Sequence, residues 1–272
     1  MIDDQPAIWS SVVPWLTTAL DLARIPPSCI HLHHVCPLRP DLAALCRSRG
    51  VHTHAIAPFH VRCPHANKIQ QCGTDFSGAR RVVLTDVDMA FAGPPPLEEI
   101  QAAVAGKVVD HPNPPMDILR AVFAAAGVAV PALCSKTYQD AQDQPVSFAT
   151  FAGNFNGGLY MIERERLVRL GEAWARWALW LIARIDLLSH WAKHADQVAF
   201  CLAVNELGLA TGVLDEAWNF PLHLNLPPGG RAPFILHHHA QQDDQQRLTA
   251  APTPQTQDAL SRVNRAIEAR RA

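Results

Sequence analysis

Arg81-Val82-Val83-Leu84-Thr85-Asp86-Val87-Asp88-Met89-Ala90-Phe91 sets a continuous apolar run, Val82 to Leu84, just ahead of two acids that are two positions apart. A β-branched and aliphatic run of this kind suits a strand from Arg81 to Val87 that is buried on both faces inside an α/β sheet. Residues i and i+2 of a strand point to one face, so Asp86 and Asp88 are expected to converge on one cation. They do so at the strand's carboxyl end, where open α/β sheets place their ligands. Two carboxylates at such a place are costly unless hydrated, paired or metal-bound.

Upstream, short apolar or β-branched runs alternate with helical patterns, the mark of stacked β-α units. Strands are expected at Cys29 to Val35 and Val51 to Pro58, a helix from Asp41 to Arg49 closed by Gly50, and a short helix from Ala66 to Cys72. Downstream, Pro94-Pro95-Pro96 stops regular structure. Helices are then expected at Pro96 to Ala105, Met116 to Ala126, Arg164 to Leu188 and Ala192 to Glu206, with an extended stretch from Phe148 to Ile162 and a strand at Phe234 to Leu236. The fold class is therefore α/β: a single domain with a central, mostly parallel mixed sheet flanked by helices. Residues 240–256 read as a polar linker. Leu260, Val263 and Ile267, ringed by Arg262, Arg265, Arg270 and Arg271, give a last amphipathic helix that could dock on the protein or on a membrane surface.

Three further segments carry polar chemistry. Asn154-Phe155-Asn156-Gly157-Gly158-Leu159-Tyr160-Met161-Ile162 places two glycines before an apolar strand, where backbone can approach a ligand or another segment closely, with Asn156 at the same bend. Ala195-Asp196-Gln197-Val198-Ala199 opens a helical pattern, and Asp196 alone reads equally as a first-turn acid. Ile235-Leu236-His237-His238-His239 delivers His237 and His239 to one face of a strand end.

Taken in order, these segments resemble the GT-A class of nucleotide-sugar-dependent glycosyltransferases, most closely the family 8 type and its bacterial relatives. The matching residues are V-V-L-T-D-V-D-M-A-F, N-F-N-G-G-L-Y-M-I, H-A-D-Q-V-A-F and I-L-H-H-H, with W-N-F at Trp218 and Asn219 a weaker fifth. The likeness spans about residues 29–239. Within residues 1–239, about 29–110 would form the nucleotide-sugar-binding half of the domain and about 111–239 the acceptor-side half. The resemblance implies that Asp86 faces the ribose and the metal, that Asp88 chelates Mn²⁺ or Mg²⁺, and that His237, or alternatively His239, completes the ligand set. It places Asn156, Gly157, Gly158 and Gln197 at the donor sugar, Lys68 near the nucleotide, and Trp218 and Asn219 toward the acceptor. Asp196 is a general base if the enzyme inverts and stabilises the donor if it retains.

The family's Gly and Lys-Pro-Trp run after the metal histidine is replaced here by Ala240-Gln241-Gln242-Asp243-Asp244. Diphosphate contacts then fall to Lys68, Arg231 or the metal alone. A haloacid-dehalogenase-like phosphatase is the rival, with Asp86 as nucleophile and Asp88 as acid/base. A non-catalytic nucleotide-sugar-binding module is the other.

The chain has 272 residues, 49% hydrophobic and 18% charged, with a formal net charge of −2, an ordinary globular composition. A near-neutral balance without a long Lys/Arg run argues against nucleic-acid binding. Seven cysteines without a C-x-x-C pair suggest buried thiols rather than a disulfide framework or a zinc ribbon; His60, Cys63, His65 and Cys72 match no common zinc spacing. No secretory signal follows the acids at Asp3 and Asp4, so a cytoplasmic protein is expected. The Trp174 to Leu188 stretch is too interrupted by charge to span a membrane, and Trp174, Trp177 and Trp180 read as core packing. His31, His33 and His34 are expected to line the first strand.

Overall fold

In a computed structural model of the chain, residues 1–2, 6–139, 142, 144–224, 226 and 230–270 are described. Asp3, Asp4 and Arg271 lie outside them. In chain order come α1 (Pro6–Asp21), β1 (His31–His34), α2 (Pro40–Arg49), β2 (His52–Ala55), β3 (Arg81–Thr85), β4 (Met89–Phe91), β5 (Val104–Gly106) and α3 (Met116–Ala126). They are followed by β6 (Leu133–Gln139), β7 (Pro145–Phe151), β8 (Leu159–Glu163), α4 (Arg164–Ile182), α5 (Ala195–Glu206), β9 (Thr211–Val213), β10 (Phe220–Pro221), β11 (Ile235–His237) and α6 (Gln257–Ala269). None of the described helices is long and apolar enough to cross a membrane.

The central sheet runs β3-β8-β5-β9. Its middle strand explains its two-layer burial. Tyr160 and Ile162 point with Val82, Leu84 and Val104 into a core under α3, α4 and α5, while Leu159 and Met161 point with Ala105 into a second core shared with α1, β1 and α2. Period-two alternation thus buries both faces of β8.

The fold class is α/β as expected, but the strand pairing is more mixed than a mostly parallel sheet. β3 pairs with an antiparallel β8, and β5 joins β8 antiparallel and β9 parallel. β3 also stands at the sheet edge with only Val82 and Leu84 buried. Its Val83 and Thr85 line a cavity of about 730 Å³ shared with α1 and β1. The strand stops at Thr85 rather than Val87, and Met89–Phe91 leaves it to pair with β11.

The expected helix at Pro96 to Ala105 is a single 3₁₀ turn, Leu97–Glu99, followed by β5, because Val104 and Ala105 are taken by ladders on both sides. Ala66 to Cys72 lies in 3₁₀ helix, Pro64–Gly73. The helix expected to reach Leu188 ends at Ile182, and Ser189 in the following 3₁₀ segment has φ 49°. The seven cysteines are free. α6 does dock: Ala259, Leu260, Val263 and Ile267 pack with Phe220, Leu236 and Ala90. That apolar stripe is buried in the protein's own core, so it is not available to a membrane.

Candidate active site

The site is assembled where two ladders end side by side. Beyond the Thr85↔Leu159 pair, the Asp86 N–H donates to the carbonyl of Gly158 at 3.0 Å, which sets the first acid opposite the Gly157-Gly158 bend. In the other ladder Met89 faces His237, and the His238 N–H donates to the carbonyl of Asp88 at 3.0 Å. Register alone therefore brings the second acid to the histidine tract.

Because the chain leaves the strand at Thr85, the two acids diverge instead of sharing a face. Asp86 is 3.0 Å from the Lys68 ammonium, which also donates to the Gly157 carbonyl at 2.8 Å and lies 3.8 Å from Asp196. Asp88 turns to His237 at 3.3 Å and His239 at 4.0 Å. Asp88, His237 and His239 offer one ligand atom each within 4.8 Å of one another, the one such group among the described residues. Asp86 falls outside this candidate group, which takes in both histidines.

Hydrogen bonds behind His237 settle its tautomer. The Gly158 N–H donates to Asn156 Oδ1 at 2.9 Å, so that atom is an acceptor, and Asn156 Nδ2 donates to Asp110 at 2.7 Å. Asn219 Nδ2 donates to the same Asn156 Oδ1 at 3.2 Å, which leaves Asn219 Oδ1 to accept from His237 Nδ1 at 2.9 Å. The other ring nitrogen, Nε2, then faces the Asp88 carboxylate at 3.3 Å, where a ring proton or a bound cation would bridge the two. One carboxylate and two imidazoles are a donor set that a divalent cation could occupy. Burial pushes Asp88 up, but the adjoining His237, His238 and His239 outweigh it and hold its carboxyl well below the usual range. Burial, with His237 and His223 alongside, pulls His239 down to about 3, so it is a neutral ligand at neutral pH.

The glycines make room for side chains. A Cβ on Gly158 would sit 2.8 Å from His237 Cε1, and one on Gly157 3.2 Å from Lys68 Nζ. Gly158→Ala is therefore expected to push the His237 ring aside and weaken Mn²⁺ binding about tenfold or more. Calorimetric titration with Mn²⁺ checks this, and unchanged affinity would remove His237 from the ligand set.

A cleft of about 340 Å³ connects these groups, lined among others by Lys68, Asp86, Asp88, Asp110, Asn156, Gly157, Gly158, Asp196, Gln197, His237 and His239. Gln197 is tied by its Nε2 to the Asn113 carbonyl at 2.7 Å and to Asn154 at 3.2 Å. Trp218 and Asn219 do not line the cleft. Both are buried, Trp218 against Phe234 and Asn219 behind His237, because the short turn that carries them packs under β11. Lys68 lines the cleft and is held by Asp86, Asp196 and Gly157, whereas Arg231 pairs with Glu99 and Asp215 and is not among the lining residues. Burial would strip the Lys68 proton, but Asp86 and Asp196 outweigh it and hold the ammonium above its usual range. Trp174 is a core residue, and its indole N–H donates to the Asp196 carbonyl at 2.7 Å, fixing the start of α5.

Asp110 was not singled out from the sequence. It lies at the junction of Lys107, Lys136 and Asn156, where the two lysines and Glu216 form a buried ionic network. The available signal was Val108-Val109-Asp110-His111, an apolar pair followed by an acid after a short strand, the same pattern that marks Asp86.

No protein-family model matches the sequence, and a comparison with curated proteins finds none similar. Solved structures do match. One is the galactosyltransferase LgtC in complex with donor and acceptor sugar analogues, with 12% identity and a TM-score of 0.56 over 98% of this chain and 94% of that one. The fold is GT-A-like. A second match is mouse xyloside xylosyltransferase 1 in its apo form, with 14% identity and a TM-score of 0.50 over 87% of this chain and 95% of that one. In this fold the strand that precedes Asp86 runs antiparallel to its neighbour β8.

Proposed function

We propose that the protein transfers a sugar from a nucleotide-sugar, a UDP-sugar in the first instance, to an acceptor hydroxyl. The observation that carries this is the oriented Asp88–His237–His239 group at one end of the cleft, with Asp196 and the Asn156–Gly158 bend facing the same space. Asp88, His237 and His239 would hold Mn²⁺ or Mg²⁺, which when bound neutralises charge on the diphosphate leaving group. Asp86 would face the ribose, with its pairing to Lys68 fixing its direction. Gln197, whose Nε2 is spent on Asn113 and Asn154, would offer its Oε1 to a sugar hydroxyl, and Asn156, Gly158 and Asp110, bonded to one another and to their neighbours, would shape the wall beside it. Asp196 would act at the reacting centre, a role supported by its backbone carbonyl being fixed by the Trp174 indole.

The test is a thermal-shift screen of UDP-, GDP- and CDP-sugars with and without Mn²⁺, on the parent and on Asp88→Ala. A ligand at a hundred times its Kd adds about 2.7 kcal/mol of stability. A shift that needs both Mn²⁺ and Asp88 is the expected result. No metal-dependent shift with any nucleotide would sink the proposal.

A further inference from the structure

The first two strands carry a histidine cluster that sugar transfer does not use. β1 and β2 pair in parallel with His31 opposite His52 and His33 opposite His54, so period-two alternation sets all four rings on one face. His31 stacks on His52 and on His54, with ring centroids 4.8 and 5.1 Å apart, and His33 stacks on His54 at 4.7 Å. His31 Nδ1 and His54 Nε2 meet at 2.9 Å. None of the four lines the cleft that holds Asp88 and Asp196.

Apolar burial does not account for the cluster. β2 buries none of its four residues, and β1 and β2 form a two-stranded sheet of their own, apart from the four-stranded one. Such a pair is weakly stable by itself. Ion pairing does not account for it either. Burial pulls His31, His33 and His54 below the usual imidazole value, to about 3 at His33, and neighbouring imidazoles push the same way: His52 and His54 on His31, His54 on His33, His52 and His34 on His54. These three rings are neutral at neutral pH, and a neutral imidazole keeps one nitrogen lone pair for a ligand. His33 spends Nε2 on the Thr74 hydroxyl at 2.7 Å, while its buried Nδ1 has no partner.

A ring proton bridges His31 Nδ1 and His54 Nε2 in the bare pair, and a divalent transition metal fits in its place. Two metal–nitrogen bonds of about 2.0–2.1 Å at a right angle span about 2.9 Å. Nitrogen donors at right angles are the preference of Ni²⁺ and Cu²⁺. The proton moves to the other nitrogen of the ring that held it, so both imidazoles stay neutral. His31 and His54 are only partly buried and His52 beside them is exposed, which gives a cation a way in and lets His52 or water fill its remaining positions. We propose that His31 and His54, with His52 alongside, bind a divalent transition metal of the Ni²⁺ and Cu²⁺ type across the two strands. An all-imidazole site differs in chemistry from the Asp88–His237–His239 group, whose carboxylate also suits a harder cation.

The experiment titrates Ni²⁺, and separately Mn²⁺, into Asp88→Asn and into the double variant Asp88→Asn/His54→Gln, by calorimetry at neutral pH. The Asp88→Asn change disables the other candidate group, so the site that remains is the one read. Asp88→Asn is expected to bind Ni²⁺ but not Mn²⁺, and adding His54→Gln should weaken Ni²⁺ about tenfold or more, since even a residue behind a metal ligand is worth that much. Histidine ring NMR on Asp88→Asn reads the same site without altering the cluster: limiting Ni²⁺ should broaden the His31, His52 and His54 signals before those of the other histidines. Equal Ni²⁺ affinity with and without His54 overturns the proposal, as does broadening that begins at other histidines or an Asp88→Asn protein that binds no Ni²⁺. Mn²⁺ binding to Asp88→Asn that His54→Gln abolishes overturns it too, because an all-nitrogen site would not select that ion.

Discussion

Asp88→Asn is expected to lower sugar transfer about a thousandfold or more while leaving the protein folded. Asparagine keeps the shape of the side chain, and the backbone bond from the His238 N–H to the residue 88 carbonyl does not depend on the carboxylate. Under the proposed function, what is lost is the one anionic member of the Asp88–His237–His239 group that would hold a cation against the departing diphosphate. Removing a group that stabilises charge developing in the transition state costs about a hundred- to a thousandfold, and losing the cation altogether costs more. Asn219→Ala makes a graded counterpart. It removes the acceptor that fixes the His237 tautomer at 2.9 Å, so Mn²⁺ affinity should fall about 10- to 100-fold. Saturating Mn²⁺ should then restore most of the turnover to Asn219→Ala but not to Asp88→Asn. Initial rates against Mn²⁺ concentration separate the two, and equal rates in parent and Asp88→Asn would remove Asp88 from the chemistry.

The parts of this site that were legible in the sequence are those set by local pattern. The Val82–Leu84 run, the Gly157-Gly158 bend and the apolar lead-in to His237 each announce a strand end or a close approach, and strand ends are where the fold puts its ligands. The division of labour between Asp86 and Asp88 was not legible. It depends on where β3 stops, and that depends on β11 capturing Met89–Phe91 from nearly 150 residues away. Helical propensity in the segment after Pro96 lost to pairing of β5 with two other strands, a tertiary effect no local window contains. In the sequence Asn219 reads only as part of a weak acceptor-side match with Trp218. Only the folded chain reveals that its amide is wedged between Asn156 and His237. The same limit hid Asp110, whose two lysines come from positions 107 and 136.

Lys136→Met should be the most destabilising of the changes considered, by about 3–5 kcal/mol, because it leaves a buried carboxylate without one of its two cations. Asp110 and Lys136 are each about 5% exposed and 2.8 Å apart, and Lys107 contacts the same oxygen of Asp110. Glu216 joins both lysines, at 3.3 Å to Lys107 and 3.0 Å to Lys136, so two positive and two negative charges balance. The lysines are not equivalent. At Lys107 burial dominates, with Lys136 beside it, and its ammonium is held below the usual range. At Lys136 the carboxylates of Asp110 and Glu216 outweigh burial and hold the ammonium above it. At about 2–4 °C per kcal/mol for chains of this size, the Lys136→Met loss corresponds to a fall in Tm of roughly 6–20 °C. The pH dependence has a definite sign. Burial pushes Asp110 up, but the two lysines outweigh it and hold its carboxyl far below the usual range. In the parent its contribution is thus fully present above the unfolded value of about 3.9 and is lost as pH falls below it. In Lys136→Met part of that hold is gone and the folded carboxyl titrates higher, so protonation relieves the unpaired charge. The deficit relative to the parent should shrink between pH 8 and pH 5. Denaturant unfolding of both proteins across that range is the check. A deficit below about 1 kcal/mol, or one that grows on acidification, would show that Asp110 is not held by its lysines, and that the Asn156–Asn219–His237 bonds anchored on it are set by something else.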